Sequence, residues 1–342
     1  MISVIVLAFN SANFVSECID SILNADYPTT EAEVIVLDNG SSDDTWTVLN
    51  QAYEHDGRVT LLHLVTGLGF AGGCNYAARH ARGEVLLFLN DDCVIEPGCL
   101  QVVASELAVS PEVGVVQCAV AVSDGSGWDT LGHFLDLWGF VYLVVAPGTP
   151  RRPIPSVGWR LFGASGAALA IRNTLFNELV GFDEDFQFLF EETDLCWRAL
   201  LLGAAVIGSG RAVVRHRQLA RYGSRGRPSP FYLETRNRIR SISKNLEAGH
   251  AMTAITVQLV LRTVFAVERA VMGQPGYFID IVRAIGWNLR LAPRTWQMRR
   301  HTQSTRCVSD RELRSSGLLL RPTLHAAFNR RARVIEVASL DR

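Results

Sequence analysis

Two acidic stretches carry side chains able to do chemistry. In FLNDDCV, residues 88–94, the adjacent carboxylates of Asp91 and Asp92 follow directly on the apolar run VLLFL. Much later, FEETDLCWR at 190–198 supplies Glu191, Glu192 and Asp194. An isolated Asp pair is a common polar ending for a strand. Carboxylates that the fold gathers into one site are another matter. Mg²⁺ and Mn²⁺ prefer oxygen ligands, and where substrate phosphates also bind them the protein need supply only one or two carboxylates. A nucleotide diphosphate leaving group requires such charge compensation. His216, and Arg236 and Arg238 in TRNR, offer an imidazole and guanidiniums. The arginines read equally as phosphate contacts or as helix packing.

These residues need a scaffold that brings them to one edge. ISVIVLAF (2–9) and EVIVLDNG (33–40) are apolar strand runs, and the segment between them has helical spacing. Continuous apolar strands of this kind suit a parallel sheet covered on both faces. A helix over 43–55, a strand over 58–64, the glycine-rich turn and Ala-rich helix of GFAGGCNYAARHARG (69–83) and a strand over 85–90 extend the alternation. The strand-end rule for open α/β sheets then puts Asp38 and Asn90–Asp92 on the same carboxyl rim. GFAGG is not the dinucleotide-binding GxGxxG, and no such motif follows the first strand. A helix to about 109, a strand over 113–122, an irregular region over 123–160 with short strands, and strand and helix over 161–179 are expected next. Residues 196–208 read as helix, turn and strand, the Arg-rich stretch 215–227 as a basic loop, and the chain from Phe231 as mainly helical. This divides the chain into a catalytic domain, 1–245, and a basic helical extension, 246–342.

At 342 residues, 48% hydrophobic and 20% charged, the composition is that of a folded protein rather than a disordered or fibrous one. The net charge of −1 conceals a split: residues 1–197 hold 7 Lys/Arg against 26 Asp/Glu, and residues 198–342 hold 26 against 8. Balances of −19 and +18 fit an acidic metal site with a basic region facing phosphate or an anionic membrane. They fit equally well two regions that neutralise each other on packing. No recognised nucleic-acid module accompanies the basic half, so no specific nucleic-acid partner is expected. Seven cysteines without a CxxC pair indicate a reducing compartment. The amino terminus lacks a signal-peptide pattern, and the apolar runs at 137–146 and 251–261 are short of a membrane span. The expected location is the cytoplasm, or the periphery of the inner membrane face. Arg262, Arg269, Arg283 and Arg290 accompany an apolar helical face suited either to packing or to anionic lipid.

In their order and spacing, VIVLAFN, VIVLDNGSSD, GFAGGCNYAAR, LLFLNDD, GFDEDFQFLFEETDLCWR and FYLETRNRIR resemble the family 2 glycosyltransferases. The resemblance is strongest to the rhamnosyltransferase-like and galactofuranosyltransferase-like branch. It implies a GT-A fold, α/β with a mostly parallel central sheet flanked by helices, and an inverting enzyme. The reaction implied moves a sugar from a nucleotide-diphosphate donor, dTDP-rhamnose or a UDP-sugar, to a glycan or lipid-linked acceptor with Mg²⁺ or Mn²⁺. By the same resemblance, Ala8, Asn10, Asp38, Gly69, Gly72, Asn75, Asn90, Asp91 and Arg236 bind the nucleotide sugar. Asp92 and His216 hold the metal, Glu192 is the general base with Glu191 as its alternative, Asp194 orders the helix start or meets the acceptor, and Trp197 meets the acceptor. Two departures stand out: Asp91 where many relatives have Pro, and Glu192 where the family pattern has Asp. Other readings of the same cleft are a metal-dependent sugar nucleotidyltransferase and a non-catalytic nucleotide- or glycan-binding protein.

Overall fold

A computed structural model of the chain describes residues 1–155, 158–217, 228–328 and 333–335. The first part alternates as expected: β1 Ile2–Ala8, α1 Val15–Leu23, β2 Ala32–Asn39, α2 Thr45–Tyr53, β3 Val59–Leu64, α3 Gly69–Ala78 and β4 Val85–Asn90. Then come β5 Cys93–Ile95, α4 Cys99–Val109, β6 Val113–Val122 and the short strands β7 Gly127–Thr130, β8 His133–Asp136, β9 Val141–Leu143, β10 Thr149–Pro150 and β11 Trp159–Arg160. β12 Ala168–Arg172, α5 Asn173–Glu178, α6 Glu191–Leu201 and β13 Ala205–His216 complete the main sheet region. Beyond it lie α7 Pro230–Asn245, α8 Ala248–Val271, α9 Gly276–Arg290, α10 Ala292–Thr305, α11 Asp310–Ser315, β14 Leu319–Leu320 and α12 Leu324–Phe328.

The central sheet is mixed. β3, β2, β1 and β4 run parallel, β12 inserts antiparallel between β4 and β6, and β13 runs parallel to β6 and antiparallel to β5. Only the first four strands, each joined to the next through a helix, form the parallel block that their βα alternation predicts. Side chains alternate across the sheet, so β1 feeds two cores. Val4 and Val6 pack toward α1, α2 and α4, whereas Ile5 packs toward α3, α5 and α6. Burial on both faces is why these strands read as unbroken apolar runs.

GFAGG is the first turn and a half of α3 rather than a turn preceding it. Glycine costs about 1 kcal/mol in a helix interior relative to Ala, and close packing accounts for it here. A Cβ on Gly73 would lie 2.6 Å from Leu7 Cδ1, so its absence lets α3 seat directly on β1. The 24 residues of α8 are long and apolar enough to cross a membrane by length and composition. The sequence hides that length because Arg262, Glu268 and Arg269 interrupt the apolar run. The Arg-rich segment lies outside the described residues from 218 to 227.

The acidic and basic halves do neutralise each other in part. Glu17 pairs with Arg217, Glu106 with Arg211, and Asp185 with Arg240 and Arg294. The most buried pairing surrounds Lys244 of α7, whose Nζ lies 2.5 Å from Asp183 Oδ2 and 3.0 Å from Asp194 Oδ2.

Candidate active site

Strand register assembles the rim. Ala8 at the end of β1 lies opposite Asp38 at the end of β2, while Leu7 lies opposite Asn90 at the end of β4. Two loops are stitched together beyond these ends. Asn10, in a left-handed conformation with φ 50°, donates its backbone N–H to Ser41 Oγ, and its Oδ1 accepts from Ser42 N–H. Asp38 is fully buried; one carboxylate oxygen accepts from Ser41 N–H at 3.1 Å, and the other lies 2.9 Å from His63 Nδ1. His63 is opposite Asp38 in the β2–β3 register and stacks on Trp46 with ring centroids 4.6 Å apart. Asp38 therefore caps the DNGSSD turn and orients an imidazole. Asn39 continues the scaffold, accepting from Leu68 N–H and donating to Gly69 O, which fixes the turn entering α3.

The paired aspartates face different partners. One oxygen of Asp91 accepts from Phe9 N–H at 2.9 Å, the backbone donor just past the end of β1. Asp92 Oδ1 lies 3.2 Å from His216 Nε2. His216 ends β13, which pairs with β5 so that His216 sits opposite Cys93, immediately after Asp92. Its Nδ1 lies 2.7 Å from Asp129 Oδ2 on β7. Burial opposes charge on this imidazole, but its hydrogen bonds to Asp129 and Asp92 outweigh burial and raise its pKa to about 9. Ligand atoms of Asp92, Cys93 and His216 all lie within 4.8 Å of one another. Burial keeps the Cys93 thiol protonated, its pKa well above the usual value. The donors left are one carboxylate and an imidazole whose Nε2 proton a cation would have to displace; with that proton gone the set fits Mn²⁺ or Mg²⁺ with positions left for phosphate and water oxygens. Asp129, which fixes the imidazole as outer-shell carboxylates do for metal-bound histidines, sits in the region read from sequence as irregular. GWDT carries no spacing that links it to a histidine 87 residues away.

Glu191 and Glu192 open α6 on a backbone under constraint. Gln187, Leu189 and Phe190 all have positive φ, 61°, 69° and 77°, a conformation that non-glycine residues adopt at a cost of order 1–3 kcal/mol each. Two helices hold this loop. Phe70 N–H at the start of α3 donates to Gln187 O at 2.7 Å. From α7, Asn237 Nδ2 lies 3.2, 2.8 and 2.6 Å from the carbonyls of Phe186, Phe188 and Leu189, and Arg236 Nη2 donates to Phe186 O at 3.0 Å. Glu191 is buried and Glu192 half-buried, and each keeps one oxygen, Oε2, without a hydrogen-bond partner. Burial raises both pKa values; Glu192 adds to the rise at Glu191, whereas the backbone N–H of Gly166 restrains Glu192. Gly166 belongs to the 164–167 turn, whose Ala167 O accepts from Asn90 N–H. One short segment thus ties the metal-side strand end to the Glu192 carboxylate.

Several expected contacts prove to be internal. Asn75 holds the segment before α6, donating to Phe182 O and Glu184 Oε1 and accepting from Phe182 N–H. Arg236 is buried, with its guanidinium bonded to the 186–187 segment and lying 4.5 Å from the Trp287 ring centroid. Arg238 is also buried, paired with Glu234. Asp194 has no exposed surface and meets Arg198, Ser241, Lys244 and Asn245; Trp197 packs edge-on against Phe162 in the core. Asn75, Arg236, Asp194 and Trp197 are therefore structural in this conformation. A helical period explains the split within EETD: Asp194 and Arg198 are an i,i+4 pair turned toward α7. Gly69 and Gly72 remain at the start of α3, with Gly69 at φ 73° where a Cβ would lie 3.0 Å from Gln187 O.

Residues 3–180 match the model of glycosyl transferase family 2. The chain is 28% identical over 226 residues to the O-antigen biosynthesis protein RfbC of Myxococcus xanthus, an alignment covering 64% of this chain and 17% of that protein. It thus spans under a fifth of that relative's length. The mannosyltransferase PcManGT from Pyrobaculum calidifontis, in complex with GDP-Man and Mn²⁺, shares the fold at TM-score 0.53 and 20% identity, with 89% of this chain and 85% of that one covered. TarS 1–349 of S. aureus in complex with UDP-GlcNAc does so at TM-score 0.57 and 19% identity, with 89% and 88% covered. With the family match extending over more than half of its length, the chain belongs to glycosyl transferase family 2.

Proposed function

We propose that the protein is an inverting glycosyltransferase that uses a nucleotide-diphosphate sugar and delivers its sugar to a hydroxyl of a bacterial glycan or lipid-linked saccharide. The observation that carries this reading is the link that Asn90 N–H to Ala167 O and the neighbouring Gly166 N–H make between two chemistries, one at the end of β4 and one at the start of α6. An Asp92–His216 donor set suits a diphosphate-bound cation, and a half-buried Glu192 with an unengaged oxygen suits a base. Burial moves Glu192 toward the working range of a general base. Glu192 takes the proton of the acceptor hydroxyl, whose oxygen bonds to the anomeric carbon as the bond to the diphosphate oxygen breaks. The electron pair leaves with the nucleoside diphosphate, and a single displacement inverts the anomeric centre. Asp92 and His216 would hold Mg²⁺ or Mn²⁺, which when bound supplies positive charge to the departing diphosphate. The nucleoside is assigned to the turns at 10–12 and 41–45, with buried Asp38 orienting His63 beside them.

For the donor, dTDP-rhamnose leads by resemblance to the rhamnosyltransferase-like branch. UDP-sugars and GDP-mannose follow, since the fold relatives were captured with UDP-GlcNAc and GDP-Man. A panel of these donors, with divalent metal, glycan and lipid-linked acceptors and mass-spectrometric product detection, tests the reading. Glu192→Gln should lower turnover about 10²–10⁴-fold, the usual contribution of a general base, while donor affinity stays within about a few-fold. Wild-type turnover in Glu192→Gln would remove the base assignment. Release of pyrophosphate instead of nucleoside diphosphate would replace glycosyl transfer with nucleotidyl transfer.

A further inference from the structure

The helices after α7 are turned inside out for a protein in water. The buried face of α8 carries Ala251, Ala254, Gln258, Arg262 and Ala266. Its exposed face carries Val260, Val264, Val267 and Val271, spaced four, three and four residues apart as one helical stripe demands. In α9 the buried residues are Asp280, Ile281 and Ala284, whereas Phe278, Val282 and Leu289 are 47%, 55% and 70% exposed. Of the 19 large hydrophobic side chains exposed among the described residues, 12 fall between Met252 and Trp296. Scattered exposed aliphatics are ordinary; a contiguous apolar face of this kind marks an interaction surface.

Charge identifies what the face meets. Residues 246–306 hold eight arginines against Glu247, Glu268 and Asp280. Asp280 is bonded to Ser229 and lies 3.9 Å from Arg283, and Glu247 lies among His250, Arg306 and Asp310, so these two acids face protein partners, while Glu268 is exposed beside the valines. Arg283, Arg290 and Arg300 are exposed around the apolar residues. An apolar helical face fringed by arginine fits the headgroup boundary of an anionic bilayer.

The helices lie on that boundary rather than cross it. Arg262, near the middle of α8, donates to Thr235 Oγ1 and Gln258 Oε1, and Gln258 donates to Trp138 O, so α8 is fastened along its length to the globular body. With 15 residues, α9 reaches about 22 Å, less than the roughly 30 Å of bilayer hydrocarbon. Ala284 of α9 also packs with Tyr232 and Leu233 of α7 against Phe188 and Leu189, the loop that leads into Glu191. The buried side of α9, opposite the exposed face, thus also backs the loop that leads into the candidate base.

We infer that the α8–α9 hairpin docks the protein, without spanning, on an anionic lipid surface through its valine-rich face and arginine fringe. The inference stands apart from the assignment of glycosyl transfer. The test is sedimentation of the full chain with vesicles of phosphatidylcholine alone, or of three parts phosphatidylcholine to one part phosphatidylglycerol, at low and high salt. Binding to the anionic vesicles should be at least tenfold tighter than to the neutral ones and should weaken in high salt. Val264→Glu/Val282→Glu should weaken it at least tenfold with an unchanged melting temperature, and Arg283→Gln/Arg290→Gln roughly tenfold. Donor consumption in solution, measured in parallel, separates this result from the enzymatic one. Wild-type protein left in the supernatant with anionic vesicles would overturn the inference. So would a dimer that the Glu variant dissociates, which makes a second copy the occupant, or cell-membrane association that alkaline carbonate fails to release, which makes α8 a span.

Discussion

Replacing Lys244 with Met should destabilise the protein by about 3 kcal/mol, the low end of the range for breaking a buried ion pair. Lys244 and Asp194 have no exposed side-chain surface and Asp183 has 2%. Met matches the length of the lysine stem but leaves two buried carboxylates without their shared cation. The estimate stays low because neither carboxylate is abandoned. Asp183 retains Arg240 at 2.7 and 3.2 Å, and Asp194 retains Arg198 at 2.9 Å with Ser241 and Asn245. For a chain of 342 residues, at about 2.1 cal/mol/K of unfolding entropy per residue, such a loss corresponds to a fall of roughly 4 °C in melting temperature. Burial alone would raise the pKa values of both aspartates, but Lys244 and the arginines hold them below the usual carboxylate range. A depressed folded-state pKa contributes stability that is present above the unfolded value of about 3.9 and lost as pH falls through the folded value. Lys244→Met should therefore also move acid unfolding to higher pH. Thermal melts followed by circular dichroism at neutral and acid pH read both effects, and Asp183→Asn/Lys244→Met should recover part of the loss. A melting temperature for Lys244→Met within about 1 °C of wild type, below the roughly 4 °C expected, would refute the view that this cluster fastens α6 to α7.

Glu191→Gln should stabilise the protein at neutral pH, where the carboxylate it replaces carries a burial penalty. The Glu191 pKa is raised by burial and by Glu192, so its penalty is absent below the unfolded pKa and grows as pH rises above it toward the folded value. Denaturation midpoints that gain nothing at pH 7 relative to pH 4 would contradict this sign. Asp129→Ala should weaken Mn²⁺ binding about 10–100-fold through loss of the partner that orients His216, read by electron paramagnetic resonance of free Mn²⁺. Unchanged affinity would leave Asp129 without that role. Asn237→Ala frees the carbonyls of Phe186, Phe188 and Leu189, and the displaced loop should lower kcat by about 100-fold while donor affinity is retained. Wild-type kcat in a measurably destabilised Asn237→Ala would show that the loop's strain has no part in positioning Glu192.

The rim was legible because it rests on local rules. Unbroken apolar runs, intervening helical periods and strand-end carboxylates were enough to bring Asp38 and Asn90–Asp92 to one edge, and the register of β1 with β2 and β4 places them there. The antiparallel insertion of β12 was not legible, since nothing within ALAIR states which way it runs beside β4. Nor was the task of TRNR. Arginines near a phosphate site and arginines that clamp a strained loop have the same composition, and only the carbonyl pattern around Asn237 separates them. Asp129 was missed because its meaning depends wholly on a histidine brought in by pairing of β13 with β5.

The acidic residues of this chain differ less in type than in what neutralises them. Asp183 and Asp194 are buried as deeply as Glu191, yet bound guanidinium and ammonium groups hold their pKa values down, so they remain ionised and serve as anchors. Glu191 and Glu192 lie within a turn of Asp194 on the same helix, but each keeps an oxygen without a partner and has a raised pKa. A paired carboxylate gains nothing by accepting a proton. An unpaired one in partial burial gains a great deal, which is the property a base requires. The charge split between the halves is visible in these pKa values: basic α7 neutralises the anchoring aspartates, whereas the glutamates at the start of α6 stay raised.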